Sequence, residues 1–260
     1  MKIVSSRRRN REKERKRLMI GFDDFVLKAA ARQRINRNHG AKRRRDAITT
    51  TSERKRQRKR TNWRNALYGY IRGSDDDRAV ISRSKMGVLI HDKYPKATVH
   101  LLLLPTEEMN LFKKITIEKL EKSDLKEIEA FHHMAREFVR SRYSKDMKFR
   151  IGYHAIPSMK PLHLHIISCD FESDRLKNKK HWNSFTTSFF VDADIIETSL
   201  KHVGHVSVNR YNMNALLKSP LECHRCGKSF QTIPSLKRHI STSQTCRRTE
   251  GFQHFKAFVV

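Results

Sequence analysis

Hydrophobic and polar residues alternate with the two-residue period of a β-strand along residues 160–169, Lys-Pro-Leu-His-Leu-His-Ile-Ile-Ser-Cys. Alternate side chains of a strand point to the same face of a sheet. The pattern therefore predicts His163 and His165 on one face and the aliphatic residues on the other, in a core. A second strand-like run, 151–156, carries His154, and the segment between the two runs contains two prolines that favour a turn. Such a hairpin would bring three imidazoles together.

Further apolar runs, at 79–90 and 97–104, predict two more strands of an antiparallel sheet. Residues 117–143 instead have apolar side chains at helical spacing, which predicts one long amphipathic helix over the sheet. A short amphipathic helix is predicted at 62–71, with Trp63 on its apolar side. The predicted fold class is therefore α+β.

The positive charge is unevenly distributed. The 260-residue chain has a formal net charge of +29, and its longest Lys/Arg runs fall within residues 1–60, where apolar residues are few. Such a segment buries too little surface to fold alone, so we predict a disordered basic arm. A polyanion is the expected partner. No run approaches the roughly 20 apolar residues of a membrane span, so no membrane association is expected.

Cys223, Cys226 and His239 have the spacing of the first three ligands of a Cys2His2 zinc finger. The usual fourth position, three to five residues later, holds neither histidine nor cysteine. We predict that Cys246 is the fourth ligand of one structural zinc ion, with His254 as the alternative. The predicted organisation is a basic arm over 1–60, a catalytic domain over 61–200 and a zinc-finger region over 201–260.

Four segments together resemble the aprataxin family, histidine-triad (HIT) nucleotidyl hydrolases fused to a C-terminal zinc finger. These segments are 91–100, 152–159, 162–168 and 176–185. The resemblance implies a HIT-like antiparallel sheet, no catalytic metal, and a hydrolase that removes 5′-AMP from abortive DNA ligation intermediates through a covalent histidine–AMP intermediate, leaving a 5′-phosphate. The HIT signature is His-x-His-x-His, and Pro161 occupies its first histidine position. That departure puts the fine geometry of the site in doubt.

The resemblance implies catalytic roles for several residues. His163 matches the nucleophile, while His165, Ser158 and Lys96 match the residues that contact the phosphate. His154 matches the family residue that protonates or binds the leaving DNA 5′-phosphate. An imidazole suits both nucleophilic and acid–base work near neutral pH.

Other matches are open to a structural interpretation. His100 matches a supporting histidine and Asp92 a ribose contact. The alternatives are a hydrogen-bonded structural role for His100 and the start of an Asx turn for Asp92. Ser158 and Lys96 have similar alternatives as turn residues.

Basic residues on the catalytic domain and the finger are expected to follow the DNA backbone. The set comprises Lys160, Lys177, Lys179, Lys180, Lys237 and Arg238, with Arg247 and Arg248 beyond them. Trp63 matches a family helix that wedges against the terminal base pair, and core packing is its alternative.

The resemblance also implies partners and location. The expected partners are nicked or broken DNA with a 5′-adenylate, RNA–DNA junctions and unspecified repair proteins, in the nucleus, with the protein acting as a monomer. Residues 1–60 are too basic to form the forkhead-associated domain that many family members carry. The rival interpretations are a small-molecule HIT hydrolase and a nonenzymatic DNA-binding protein whose active site has degenerated at Pro161.

Overall fold

The computed structural model describes residues 63–73, 77–242 and 246, together with the backbone of Phe258–Val259. The predicted basic arm, Arg247, Arg248 and His254 lie outside the described residues. None of the helices in the described ranges combines the length and apolar character needed to cross a bilayer.

The centre of the protein is an antiparallel sheet. Its strands are β1 (Val80–Arg83), β2 (Gly87–His91), β3 (His100–Pro105), β4 (Lys148–His154), β5 (Leu164–Ser168), β6 (Phe190–Asp192) and β9 (Phe258–Val259). The strand order is β1-β2-β3-β5-β4-β6, and β9 also pairs with β4. A separate hairpin joins β7 (Leu221–Glu222) to β8 (Ser229–Phe230). This architecture is the α+β, HIT-like fold with a zinc-finger region that the sequence predicts.

Six α-helices surround the sheet in the described part of the chain. They are α1 (Ala66–Arg72), α2 (Leu125–Arg142), α3 (Lys179–Thr186), α4 (Ala193–His202), α5 (Arg210–Leu216) and α6 (Ile233–Ser241). Short 3-10 helices occupy Trp63–Asn65, Asp77–Ala79, Asn110–Lys113, Ile117–Lys119 and Lys122–Asp124.

One face of the sheet is covered by α2 and α4. Apolar side chains of β3, β4 and β5, such as Leu101, Ile151 and Ile166, pack there against Phe131 and Ile196 of the helices. These side chains form the largest hydrophobic cluster of the core. Because successive side chains of a strand point to opposite faces, this cluster determines which strand residues face the core. The histidines of β4 and β5 must therefore lie on the opposite face, which we call the histidine face.

Two smaller clusters border the histidine face. At the edge formed by β1–β3, Leu67 of α1 packs on Val88 and Leu102. At the other edge, Phe185 of α3 and Phe190 of β6 belong to one cluster with the finger residues Leu221, Cys223, Leu236, Ile240 and Cys246. The histidines thus lie between α1 on one side and α3 with the finger on the other.

Two predicted elements have the wrong bounds. The single strand at 79–90 is a hairpin, because the Ser84 hydroxyl accepts hydrogen bonds from the backbone N–H groups of Met86 and Gly87 and closes a turn. The long helix begins at Leu125 rather than at 117, since Leu120 and Glu121 are extended and interrupt the helix. A capping box between Glu121 and Asp124 then starts the final 3-10 turn before α2.

Gly152 lets β6 approach β4 closely. A Cβ atom on Gly152 would lie 2.3 Å from the Val191 carbonyl oxygen and 2.7 Å from Cε1 of Phe190. Gly152 also pairs with His165 on β5. The missing side chain therefore leaves room for the Phe190 ring beside the histidines.

We expect Gly152→Ala to lower the free energy of unfolding by about 2–3 kcal/mol, because the added methyl group meets backbone that cannot move aside easily. Urea denaturation of the purified protein measures this. Gly87→Ala is the matched control, since its Cβ would meet the flexible ends of Leu103 and Met134 at 3.0 Å, with the Leu104 carbonyl at 3.2 Å. A loss at Gly152 no larger than that at Gly87 would contradict the packing argument.

Candidate active site and metal centre

The orientation of His163 is fixed by a backbone carbonyl. Its Nδ1 lies 2.9 Å from the carbonyl oxygen of Pro161, so Nδ1–H donates to that oxygen. In the neutral ring the lone pair then belongs to Nε2. Burial lowers the pKa of His163, although the Pro161 hydrogen bond opposes that change. The result is a neutral imidazole whose free nitrogen is a nucleophile.

A second chain of hydrogen bonds fixes the ring of His165. The backbone N–H of Lys96 donates to Nδ1 of His100 at 3.2 Å, so His100 carries its proton on Nε2. That proton is donated to Nδ1 of His165 at 3.0 Å. His165 must therefore carry its own proton on Nε2, which is buried and has no hydrogen-bond partner among the described residues. This Nε2–H is available to an incoming oxygen atom.

The rings of His100 and His165 are both neutral. Burial lowers the pKa of His100 to about 4, and it holds the pKa of His165 well below its usual value, with the neighbouring His154 adding to the effect. A neutral His100 can accept from Lys96 and donate to His165 at the same time. His100 is therefore a buried, hydrogen-bonded residue, as its structural interpretation predicts. It also orients the ring of His165, a candidate catalytic residue.

Asp92 does form an Asx turn, since its Oδ1 accepts from the N–H of Tyr94 at 2.6 Å. Its Oδ2 lies 3.7 Å from Nε2 of His100. Candidate metal-binding atoms of Asp92, His100 and His165 all lie within 4.8 Å of one another. Because the two histidines already share a hydrogen bond, we interpret this group as part of the relay that orients His165.

His154 lies in a cage of aromatic rings. The ring centroids of Phe185, Phe189 and Phe190 lie 4.7, 5.4 and 6.0 Å from that of His154, and His165 lies at 4.5 Å. We call the three phenylalanines the phenylalanine cage. Burial holds the pKa of His154 well below its usual value, and the nearby histidines, Lys96 and Arg150 oppose its positive charge further. Its Nε2 is buried without a partner in the described part of the protein.

The remaining predicted phosphate contacts surround the histidines less closely. Lys96 is half-buried, its ammonium donates to the Tyr94 carbonyl, and desolvation lowers its pKa. Ser158 is exposed in the turn between β4 and β5. Lys160 is half-buried, and its backbone N–H donates to the Arg64 carbonyl at 2.6 Å, which ties this turn to the segment that precedes α1.

The predicted DNA-contacting residues differ in exposure. Lys177, Lys179, Lys180 and Arg238 are exposed, whereas Lys237 is half-buried and donates to the Ser173 carbonyl. Trp63 has 61% of its surface exposed, so the core-packing alternative is wrong for this residue. Its indole is free to meet a partner.

Four side chains converge in the finger: Cys223, Cys226, His239 and Cys246. The sulfur atoms of Cys223 and Cys246 are 3.5 Å apart, and Cys226 Sγ lies 3.2 Å from Nε2 of His239. Zn–S bonds of about 2.3 Å in a tetrahedron require sulfur atoms about 3.8 Å apart. Three thiols and one imidazole at this spacing fit a closed structural zinc site.

Local structure explains this convergence. Gly227, at a φ of +73°, closes the knuckle, where the Gly227 N–H donates to the Cys223 carbonyl. Thr232 caps α6, Pro234 lies in its first turn, and His239 is carried on the buried side of the helix. The chain then returns far enough to bring Cys246 against Cys223.

Sequence patterns did not reveal the phenylalanine cage or the contacts that join α3 to the finger. Nε1–H of Trp182 donates to the Glu222 carbonyl at 2.9 Å, and Nε2 of His224 lies 3.0 Å from the Cys169 carbonyl oxygen. These groups are distant in sequence, and no periodicity joins them. Arg150 was also missed, although a charged residue within an apolar strand is a signal.

The arrangement has a definite chemical capacity. A neutral imidazole with a free Nε2 lies beside a second imidazole that presents an N–H, in a buried site bordered by cations. Such groups can attack an electrophilic phosphorus atom and stabilise charge on its oxygen atoms.

Comparisons with known proteins match the two parts of the chain that carry these sites. Residues 65–181 match the family described as scavenger mRNA decapping enzyme C-terminal binding, and residues 186–245 match the C2HE/C2H2/C2HC zinc-binding finger. Aprataxin of Gallus gallus is 41% identical over 65% of this chain and 52% of its own length. The aprataxin-like protein of Saccharomyces cerevisiae is 32% identical over 68% of this chain and 94% of its own.

A solved structure, described as the aprataxin ortholog Hnt3 in complex with DNA, is also similar. It aligns with a TM-score of 0.56 and 29% identity, covering 68% of this chain and 92% of its own. The chain spans about half the length of the first animal relatives that it matches.

Loss of a residue that hydrogen-bonds to a metal ligand typically weakens metal binding by roughly 10- to 100-fold. We expect Cys246→Ala to weaken zinc binding by more than this, because it removes a direct ligand. Zinc content after dialysis against a chelator, together with the midpoint of thermal unfolding, measures this. Cys169→Ala and His254→Ala are the matched controls, and we expect both to retain one zinc ion per chain. Zinc loss in His254→Ala, with retention in Cys246→Ala, would assign the fourth ligand to His254 instead.

Proposed function

The chain belongs to the aprataxin family of HIT-superfamily hydrolases, and on this premise we propose that it removes 5′-AMP from abortive DNA ligation intermediates. The observation that carries the proposal is the fixed protonation pattern of the two central histidines. His163 has its free lone pair on Nε2, and His165 has a proton on Nε2. One ring is thus prepared to attack phosphorus and the other to bind a phosphate oxygen.

In the first step, Nε2 of His163 attacks the α-phosphorus of the adenylate and forms a P–N bond. The P–O bond to the DNA 5′-phosphate breaks, and its electron pair leaves with that phosphate. His165, Lys96 and Ser158 donate to the non-bridging oxygens. The negative charge of the bound phosphates favours protonated His154, which supplies a proton to the leaving group.

In the second step, water attacks the phosphorus of the histidine–AMP intermediate. The P–N bond breaks, and its electron pair returns to Nε2 of His163. A proton from water passes to His154, so the site is restored and AMP is released. Splitting one hydrolysis into two displacements is the general advantage of a covalent intermediate. This proposed chemistry requires no catalytic metal.

DNA is the proposed partner, in the form of nicks or breaks with a 5′-adenylate and of RNA–DNA junctions. The complex of Hnt3 with DNA supports this, as do the exposed lysines at the start of α3 and the exposed indole of Trp63. We assign phosphate contacts to Lys177, Lys179, Lys180 and Arg238, and end stacking to Trp63. We further propose a nuclear location and action as a monomer alongside repair proteins.

Pro161 does not argue against catalysis. Its backbone carbonyl, not a side chain, accepts the proton of His163, so proline at this position retains the contact that orients the nucleophile. The rival of a nonenzymatic DNA-binding protein loses its main argument.

We expect His163→Ala to abolish AMP release from a nicked duplex with a 5′-adenylate, because the P–N bond can no longer form. The wild type should release AMP and, when quenched early, carry it covalently on His163, which mass spectrometry of the digested protein can locate. His202→Ala, an exposed histidine at the end of α4, is the matched control and should behave like the wild type.

Two results would contradict the proposal. Release by His163→Ala at the wild-type rate would exclude this nucleophile. Turnover of free adenosine phosphoramidates by the wild type without turnover of adenylated DNA would favour the small-molecule hydrolase.

The pH dependence should also be distinctive. Attack requires neutral His163, and burial lowers its pKa from the usual 6.5, so the acidic limb of kcat/KM should lie below pH 6.5. Rates across about pH 5 to 8 test this. The same lowered histidine pKa values destabilise the fold as the pH falls below 6.5, so circular dichroism must confirm that the protein is folded at each point. An acidic limb centred at or above 6.5 would contradict the assignment.

A further inference from the structure

Arg150 is a charged residue on the histidine face of the sheet, and only 2% of its surface is exposed. It lies on β4 together with Gly152 and His154, whose side-chain positions point to the same face. Its neighbours in sequence, Phe149 and Ile151, belong to the core on the other face. A buried guanidinium in such a strand requires partners for all its N–H groups.

Those partners are the elements that carry the phenylalanine cage. Nε and one terminal nitrogen of Arg150 donate to the two carboxylate oxygens of Asp192, at 2.9 and 2.6 Å. Two further hydrogen bonds go to the backbone carbonyls of Phe185, at 2.6 Å, and Phe190, at 3.3 Å. The guanidinium also stacks on the Phe190 ring, 4.5 Å from its centroid. One side chain thus fixes α3 and β6 to β4.

His154 depends on this cage more than the other histidines do. Hydrogen bonds orient His163 and His165, whereas no hydrogen bond to a described residue holds the ring of His154. Its surroundings are the three phenylalanine rings and the ring of His165. A shift of α3 or β6 would therefore change the position of His154 first.

Stability alone does not account for the ion pair. A buried pair loses much of its Coulomb attraction to desolvation, and apolar residues of similar volume often stabilise a fold as well. Desolvation raises the pKa of Asp192 even though Arg150 lowers it, which reflects that cost. Asp192 also occupies the N-cap position of α4 without making a side-chain cap hydrogen bond. Its carboxylate is bonded to Arg150 instead.

We propose that Arg150, held by Asp192, is a positioning residue that sets the phenylalanine cage and thereby places His154 against the leaving group. The inference rests on the proposed function, because the role of His154 belongs to that mechanism. In this proposal Arg150 acts through the cage and not on the substrate directly. Its loss should therefore impair the reactions that need a proton on the leaving group, and should spare those that do not.

Three substrates separate these cases. Adenylated DNA and adenosine 5′-phosphoramidate need assistance to the leaving group, whereas the 2,4-dinitrophenyl ester of AMP loses a stable phenolate unaided. We expect Arg150→Met and Asp192→Asn to lower kcat on the first two by at least about tenfold, with a smaller change in KM, within the 10²–10⁴ that general acid catalysis contributes. The ester should lose less than about threefold. Arg150→Lys should recover part of the loss, since it restores one donor.

Arg136→Met is the matched control. Arg136 forms ion pairs with Asp194 and Glu197 on the opposite side of the sheet, between α2 and α4. Its removal should change stability but leave the ratio of the three rates unaltered. The double variant Arg150→Met/His154→Ala should be no slower on adenylated DNA than His154→Ala alone, because both changes remove the same contribution.

Equal losses on all three substrates, or no loss on any, would overturn the inference. Failure of the proposed function would look different: the wild type would not turn over adenylated DNA but would hydrolyse the two small substrates. In that case the ratio of phosphoramidate to ester rates in the Arg150 variants still decides whether Arg150 positions His154.

Discussion

The hydrogen bond from Nδ1–H of His163 to the Pro161 carbonyl is the contact on which the chemistry of this protein depends. It leaves Nε2 unprotonated in the neutral ring, and burial keeps the ring neutral. The relay from the Lys96 amide through His100 gives His165 the opposite pattern, with its proton on Nε2. Two adjacent, buried imidazoles thus carry their protons on different nitrogen atoms although their sequence surroundings are nearly identical.

The sequence predicted the parts of this site that depend on short-range pattern. Alternation in 160–169 placed His163 and His165 on one face, and the spacing of Cys223, Cys226 and His239 predicted a metal site at which these three residues and Cys246 do converge. Pattern could not predict that Pro161 retains the orienting contact, because that contact is made by a carbonyl that every residue carries. It also could not locate the start of α2, since the capping box at Glu121 interrupts an apolar spacing that continues through it.

The sequence resemblance did not indicate how the active site is enclosed. The phenylalanine cage comes from α3 and β6, and it belongs to the same apolar cluster as the interior of the finger, including Leu221 and Leu236. The hydrogen bond from Trp182 to Glu222 joins the two units directly. The zinc-binding region is therefore packed as part of the wall of the histidine site. Long-range packing of this kind leaves no periodic signal.

The elements at the two edges of the histidine face support different histidines. At one edge the 3-10 helix that precedes α1 contacts the turn between β4 and β5 through the hydrogen bond from Lys160 N–H to the Arg64 carbonyl, next to the residue whose carbonyl orients His163. At the other edge Arg150 donates hydrogen bonds to the backbone carbonyls of Phe185 and Phe190, and the rings of these two residues enclose His154. His163 is thus supported from the α1 side and His154 from the α3 side. Because these supports share few residues, changes at one edge should affect one histidine more than the other.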